Sequence, residues 1–180
     1  MSNRLVQPTK EIFETNMDVS RQTSLVNMFA DACQKNNDFP FNPYNPDKRG
    51  KHTLEVLPMP YKYRIDYLIN TNYGKPVALV EVKWYFSSWQ LKGNEIHLSL
   101  MKVRDLMSFA DTIGCKPYFV IRVQDGGYYF YLEKEFIKRS RIVMGGRYDR
   151  GQSGDIEPMV VVPERYWNPF HVGKIKPNYV

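Results

Sequence analysis

The chain has 180 residues and a formal charge of +6, from 25 Lys and Arg against 19 Asp and Glu. With 43% hydrophobic and 24% charged residues it has the balance of a globular protein, which excludes an intrinsically disordered chain, and its length suits one domain whose core needs no staples. No apolar run approaches a membrane span, and Met1-Ser2-Asn3-Arg4 lacks the apolar core of a secretory leader, so a cytoplasmic protein without membrane association is expected.

Cys33 and Cys115 form neither a metal nor a redox spacing and read as reduced thiols. The basic surplus favours an anionic partner, nucleic acid first.

The first predicted helix follows Ser20 as N-cap and runs from Arg21 to Lys35, with Leu25, Met28, Phe29 and Ala32 at helical spacing. From Phe39 to Arg49 the chain is rich in Pro, Asn and Lys, and no regular element is expected. Thr53 to Leu57 reads as a short strand stopped by Pro58 and Pro60. Tyr63 to Ile69 alternates as a strand does. Pro76 to Phe86 is more continuously apolar, as in a central strand, and Asn70 to Lys75 forms the hairpin turn between them.

A long helix is predicted from about Asn94 to Ile113 on the stripe Ile96, Leu100, Val103, Met107, Ala110 and Ile113, with Gly114 as its stop. Tyr118 to Val123 and Tyr128 to Leu132 flank Gln124-Asp125-Gly126-Gly127 as a second hairpin. A short helix within Glu133 to Ser140, a Gly- and Arg-rich loop from Met144 to Gly154 and a late strand at Met159 to Val162 follow. The aromatic tail after Pro163 carries no assignable pattern. This order predicts an α/β fold, a central mixed sheet flanked by helices.

Charged residues inside apolar strands call for a reason. Asp66, Glu81 and Lys83 are three such residues. The two-residue period puts Leu79, Glu81 and Lys83 on one face of their strand. In a hairpin, opposed residues share a constant index sum, and a turn centred between Tyr73 and Gly74 makes that sum 147 and sets Asp66 opposite Glu81. A slip of two keeps Asp66 on that face; a slip of one removes it.

Two opposed carboxylates repel unless a cation sits between them. Oxygen donors without Cys or His suggest Mg²⁺ or Mn²⁺, and an adjacent lysine suits a phosphate or a nucleophilic water. Together these describe metal-assisted phosphodiester hydrolysis. The competing interpretation is a cross-strand ion pair between Asp66 and Lys83, with Glu81 in solvent.

Asp66, fourteen intervening residues and then Glu81-Val82-Lys83 resemble the PD-(D/E)xK nuclease superfamily. The resemblance extends from about Ser20 to Leu132 in element order, and implies a restriction-endonuclease-like core at about 20–132 of a single nuclease domain spanning 1–180. A basic loop and C-terminal extension would occupy about 138–180. It implies that Asp66, Glu81 and the Val82 carbonyl hold the metal, and that Lys83 positions or activates the attacking water. Ile65 replaces the motif's proline, and the first helix, Arg21 to Lys35, lacks the Glu that many members carry there. Gln22, on the apolar stripe, is the substitute candidate, with Asp18 and Glu14 as alternatives; a residue satisfying free backbone donors in the first turn is the other reading of Gln22.

His52, His97 and His171 share no metal-binding spacing. Ser99 and Lys102 fall on the less apolar side of the long helix, where the resemblance implies that a Gln, Ser or Lys can face the site or the phosphate backbone, and a solvated face is the reading preferred. Arg139, Arg141, Arg147 and Arg150, in a region broken by glycines, are the candidate phosphate contacts. The resulting expectation is a divalent-metal-dependent DNA endonuclease, homodimeric and similar to Holliday junction resolvases or other small phage-type nucleases, acting in a cytoplasm. A restriction or phage DNA-degrading enzyme is the runner-up, and an inactive nucleic-acid-binding module the rival from another class.

Overall fold

The computed structural model describes residues 16–36, 54–60, 65–71, 73–85, 95–123, 126–146 and 156–172. Helix α1 (Asn16–Asn36) is followed by strands β1 (Leu54–Pro58), β2 (Tyr67–Thr71), β3 (Pro76–Tyr85) and β4 (Glu95–Ser99). Next come α2 (Leu100–Ile113), β5 (Lys116–Val123), β6 (Gly126–Tyr131) and α3 (Lys134–Arg139). β7 (Ile142–Gly146), β8 (Ile156–Pro163) and β9 (Asn168–Phe170) complete the described fold, with a 3-10 turn at Glu164–Tyr166.

Six strands form the main sheet in the order β1-β2-β3-β5-β6-β9, and three form a smaller sheet in the order β4-β8-β7. β3 and β5 are parallel, joined by the crossover through β4 and α2, and the other neighbours are antiparallel. The mixed α/β sheet expected from the sequence is the one observed.

The period of two along β3 divides the core. Ala78, Val80 and Val82 join Tyr67, Ile69, Tyr118, Val120 and Tyr129 beneath Leu25, Val26, Phe29, Ala30 and Cys33 of α1. On the opposite face Leu79, Phe119, Ile121 and Phe130 meet Val103, Leu106 and Ala110 of α2, together with Ile96, Leu98, Val160 and Val162 of the smaller sheet. Glu81 and Lys83 follow Leu79 on this α2 side.

Several boundaries depart from expectation. β2 begins at Tyr67 and runs to Thr71, so Ile65 and Asp66 precede it, β1 includes Pro58, and β8 runs from Ile156 to Pro163. α1 begins at Asn16, so Ser20 lies inside the helix and its carbonyl accepts the Ser24 hydroxyl at 3.0 Å. The stretch predicted as one helix from Asn94 divides into β4 and α2: Ile96 and Leu98 are buried around exposed His97, a strand period, and β4 pairs along its length with β8. Ser99 then caps α2, accepting the Lys102 backbone N–H at 3.5 Å, and Gly114 ends it at φ +72°. Ile96 sits four residues before Leu100, so it fitted a helical stripe as well as a strand.

The glycine-rich stretch from Met144 begins as strand β7, and 147–155 lie outside the described residues. The tail after Pro163 adds β9 to the main sheet beside β6. A side chain at Gly127 would stand 2.4 Å from Val172 Cγ2 and 2.5 Å from Phe170 Cζ, so this close crossing requires glycine. The proline-rich stretch from Phe39 to Arg49, together with Glu14 and His52, lies outside the described residues.

Candidate active site

Asp66 reaches the site through an irregular hairpin. Tyr67 pairs with Val80, Leu68 with Leu79 and Ile69 with Ala78, the predicted sum of 147, which continued by one residue sets Asp66 level with Glu81. Asn70, however, pairs with Pro76, and the register shifts between Ile69 and Asn70. The pairing sum at the turn is therefore one lower and the turn is centred on Tyr73, half a residue early, with Gly74 at φ +74° and its N–H donating to the Thr71 carbonyl at 2.9 Å. A ladder running unbroken from that turn would put Asp66 on the α1 side with Val80. The bulge restores the alternation and brings Asp66 beside Glu81.

Asp66 Oδ2 accepts the Val82 backbone N–H at 2.7 Å, while the Asp66 carbonyl accepts the Met59 N–H at 2.8 Å. The acid is thus fixed at its carboxylate and at its backbone. Glu81 is 1% exposed. Its Oε1 accepts from the Lys102 ammonium, and Lys83 Nζ lies 3.4 Å from the same oxygen. The sequence motif's three charged residues therefore converge, and a fourth, Lys102, joins them from α2.

Lys102 is not on a solvated helix face but half-buried against Glu81. A cation in the first turn of a helix opposes the positive end of the helix dipole, a mismatch that shows only once α2 is seen to begin at Leu100. Ser99 is also no solvated residue: it is buried, caps α2 and donates its hydroxyl to Glu157 Oε2 at 2.6 Å.

Burial, and then the neighbouring Asp66, push the Glu81 carboxyl up to about 6, against the pull of Lys83 and Lys102. Burial lowers Lys83 below the ordinary lysine value, against the attraction of Glu81 and with the repulsion of Lys102. Burial also works against the Lys102 ammonium, but the Glu81 charge and hydrogen bond outweigh it and hold Lys102 above its ordinary value.

Folding lifts Glu81 from an ordinary 4.5 to about 6, so the folded chain retains a proton there that the unfolded chain releases. This contribution to stability is complete below about pH 4.5 and is lost as pH rises through about 6, and in full it is worth about 2 kcal/mol. In EDTA, urea titrations should therefore show wild type gaining stability relative to Glu81→Gln between pH 7 and 5. An equal response in both proteins would contradict the assignment.

The donor set fits a hard dication. Asp66 and Glu81 bring two carboxylates together, and the Asp66 charge adds to the cost of ionising buried Glu81, a cost that neighbouring cations relieve. No third His, Cys, Asp or Glu joins them to make a larger cluster among the described residues. One or two carboxylates, with water and substrate phosphate completing the shell, is the pattern Mg²⁺ takes.

Gln22 lies half-buried on α1, on the stripe of Leu25, Val26 and Phe29, and no hydrogen bond joins it to Asp66, Glu81 or Lys83. Arg139 is exposed at the end of α3. Arg141 is exposed too, but its Nη2 donates to both Glu95 oxygens, at 2.7 and 2.8 Å. Arg147 and Arg150 lie outside the described residues. His97 is hydrogen-bonded to Glu95 at 3.2 Å on the exposed side of β4, and His171 is exposed. Both cysteines are free thiols, and burial pushes Cys115 up to about 11, which leaves it protonated and unreactive at neutral pH.

Two acids and a lysine thus meet beside the central strand of a mixed sheet, in the order Asp66, Glu81, Lys83. Residues 47–170 match the family model described as "Phage putative PDDEXK endonuclease", and the chain belongs to that family. Among solved structures it is similar to Hjc, a Holliday junction resolvase from Archaeoglobus fulgidus, at 14% identity and a TM-score of 0.39, over 63% of this chain and 79% of that one. No curated protein matches it.

Proposed function

We propose that this nuclease is a divalent-metal-dependent DNA endonuclease whose site is Asp66, Glu81 and Lys83. The observation that carries this reading is the meeting of two carboxylates and a lysine where the segment entering β2 lies beside β3, with Glu81 buried. Asp66, Glu81 and the Val82 carbonyl are the groups that would hold Mg²⁺ or Mn²⁺, which supplies Lewis-acid chemistry at a phosphoryl oxygen when bound. The hydrogen bond from Val82 N–H keeps the Asp66 carboxylate oriented. Lys83, less basic than an ordinary lysine, orients the attacking water and offsets the charge that develops on the phosphate. Gln22 is retained as the candidate first-helix contributor to water or metal binding.

The test is cleavage of a panel of four-way junctions, flaps, linear duplexes and single strands with Mg²⁺. Cleavage abolished by EDTA is expected, and the preferred substrate distinguishes a junction resolvase from a restriction-type or DNA-degrading enzyme. Binding without cleavage of any member would favour an inactive nucleic-acid-binding module.

Symmetric cutting of two strands needs two such sites, and one chain supplies one. We therefore expect a homodimer acting in the host cytoplasm. Light scattering that gives a monomer, with and without DNA, would rule this out in favour of a nicking or single-strand enzyme.

If Arg139, Arg141, Arg147 and Arg150 touch phosphates, neutralising all four should weaken binding to every duplex sequence alike. The salt dependence should flatten by about 0.9 per lost contact. Arg141 contributes least, because Glu95 already neutralises it. Fluorescence titrations at several salt concentrations measure the slope, and an unchanged slope removes these residues from the DNA surface.

A further inference from the structure

Glu81 Oε1 is contacted by two ammonium groups, and they differ in origin. Lys83 stands two residues along the same strand, on the same face, whereas Lys102 comes from the first turn of α2. There the helix dipole disfavours a cation, so Lys102 is held by the site's carboxylates, Glu81 first and Asp66 after it. On the nuclease reading above, we propose that Lys102 is the resident counter-ion of Glu81. It occupies Glu81 Oε1, and must leave that oxygen before the carboxylate can take a divalent cation in its place.

Three features support the exchange. First, a carboxylate with a side-chain exposure of 2% stays ionised only beside positive charge, so the site needs a cation whether or not a metal is present. Second, the Lys102 backbone is pinned while its side chain is not. Ser99 caps the helix and is itself held by Glu157, and Val103, Leu106 and Ala110 are buried against the sheet. The Lys102 side chain is 37% exposed on a flexible four-carbon stem, so its ammonium has an open route to solvent without movement of the helix. Third, a dication on Glu81 removes the attraction that holds Lys102 and adds a like charge beside it. The freed ammonium, still tethered one helical turn from Ser99, is then within the site as a partner for a phosphate oxygen.

The test is calorimetric titration with Mn²⁺ alone, in the absence of DNA, of the full chain and its Lys102 variants. Lys102→Met should bind Mn²⁺ about tenfold more tightly than wild type or better. Lys102→Gln, which can still donate to Oε1 but carries no charge, should also bind more tightly and serves if the Met variant does not fold. Lys102→Arg, which keeps the charge, should bind no more tightly than wild type.

The gain should persist in about 1 M salt, where the screening length falls to about 3 Å and long-range repulsion is suppressed. Equal or weaker Mn²⁺ binding by both neutral variants would overturn the proposal, as would a gain that vanishes in high salt. Absence of Mn²⁺ binding by wild type and all variants would overturn the metal reading of Asp66 and Glu81 itself, and this proposal with it.

Discussion

Asp66→Asn and Glu81→Gln should each reduce cleavage by about a thousandfold or more while the protein stays folded and keeps most of its DNA affinity. Metal-supplied stabilisation of a phosphoryl transition state is worth several kcal/mol, and each 1.36 kcal/mol is about tenfold in rate. The amide variants are the informative ones. Asp66→Ala would strand the Val82 N–H, which Asp66 Oδ2 now accepts at 2.7 Å, and an unsatisfied buried donor costs about 1–3 kcal/mol. Asn keeps an acceptor there. Glu81→Ala would leave Lys83 and Lys102 facing one another without their shared carboxylate. Near-wild-type cleavage in either amide variant, measured as single-turnover rates on a labelled duplex, would remove the carboxylates from the chemistry. Undiminished cleavage in EDTA would do the same.

Lys83→Ala should lower the cleavage rate by about 10²–10⁴-fold, the range of a positioned proton-transfer or charge-stabilising group. Mn²⁺ binding should survive, because Lys83 supplies no ligand. Lys83→Arg should not restore the rate: a planar fork on a longer stem cannot take the place of a compact ammonium 3.4 Å from Glu81, nor can it be drawn toward neutrality by burial as this lysine is. A near-normal rate in Lys83→Ala would make Lys83 an ion-pair partner only. A lost rate accompanied by lost metal binding would assign it to holding the Glu81 carboxylate in place.

The contrast between Lys83 and Lys102 marks how far the local pattern reaches. Lys83 was legible because strand periodicity alone ties it to Glu81, two residues away on the same face. Lys102 was not, because its place depends on how α2 is seated. Its face of the helix is the same wherever the helix begins; what brings it to Glu81 is the seating of the first turn of α2 over β3, with Ser99 as the cap. The start of α2 is decided by the pairing of β4 with β8, more than fifty residues further along the chain. An apolar run that satisfies both a strand and a helix period carries no information about which partner will claim it.

Composition and period by themselves determined the α/β class, the apolar stripe of α1 ending at Asn36, the two central hairpins and the shared face of Glu81 and Lys83. Each of these depends on neighbours close in sequence. Placing Asp66 beside Glu81 needed more. The predicted index sum of 147 holds along Tyr67, Leu68 and Ile69, but at the turn the sum is 146 and the centre lies half a residue from the expected position. The register shift between Ile69 and Asn70 compensates for that displacement. Tyr67 and Ile69 are buried with α1 on one side, and Leu79 with α2 on the other, so a ladder without the bulge would turn those apolar side chains toward the wrong layers. The packing of helices on both faces of the sheet, which no local pattern encodes, therefore sets the register that brings the two carboxylates together.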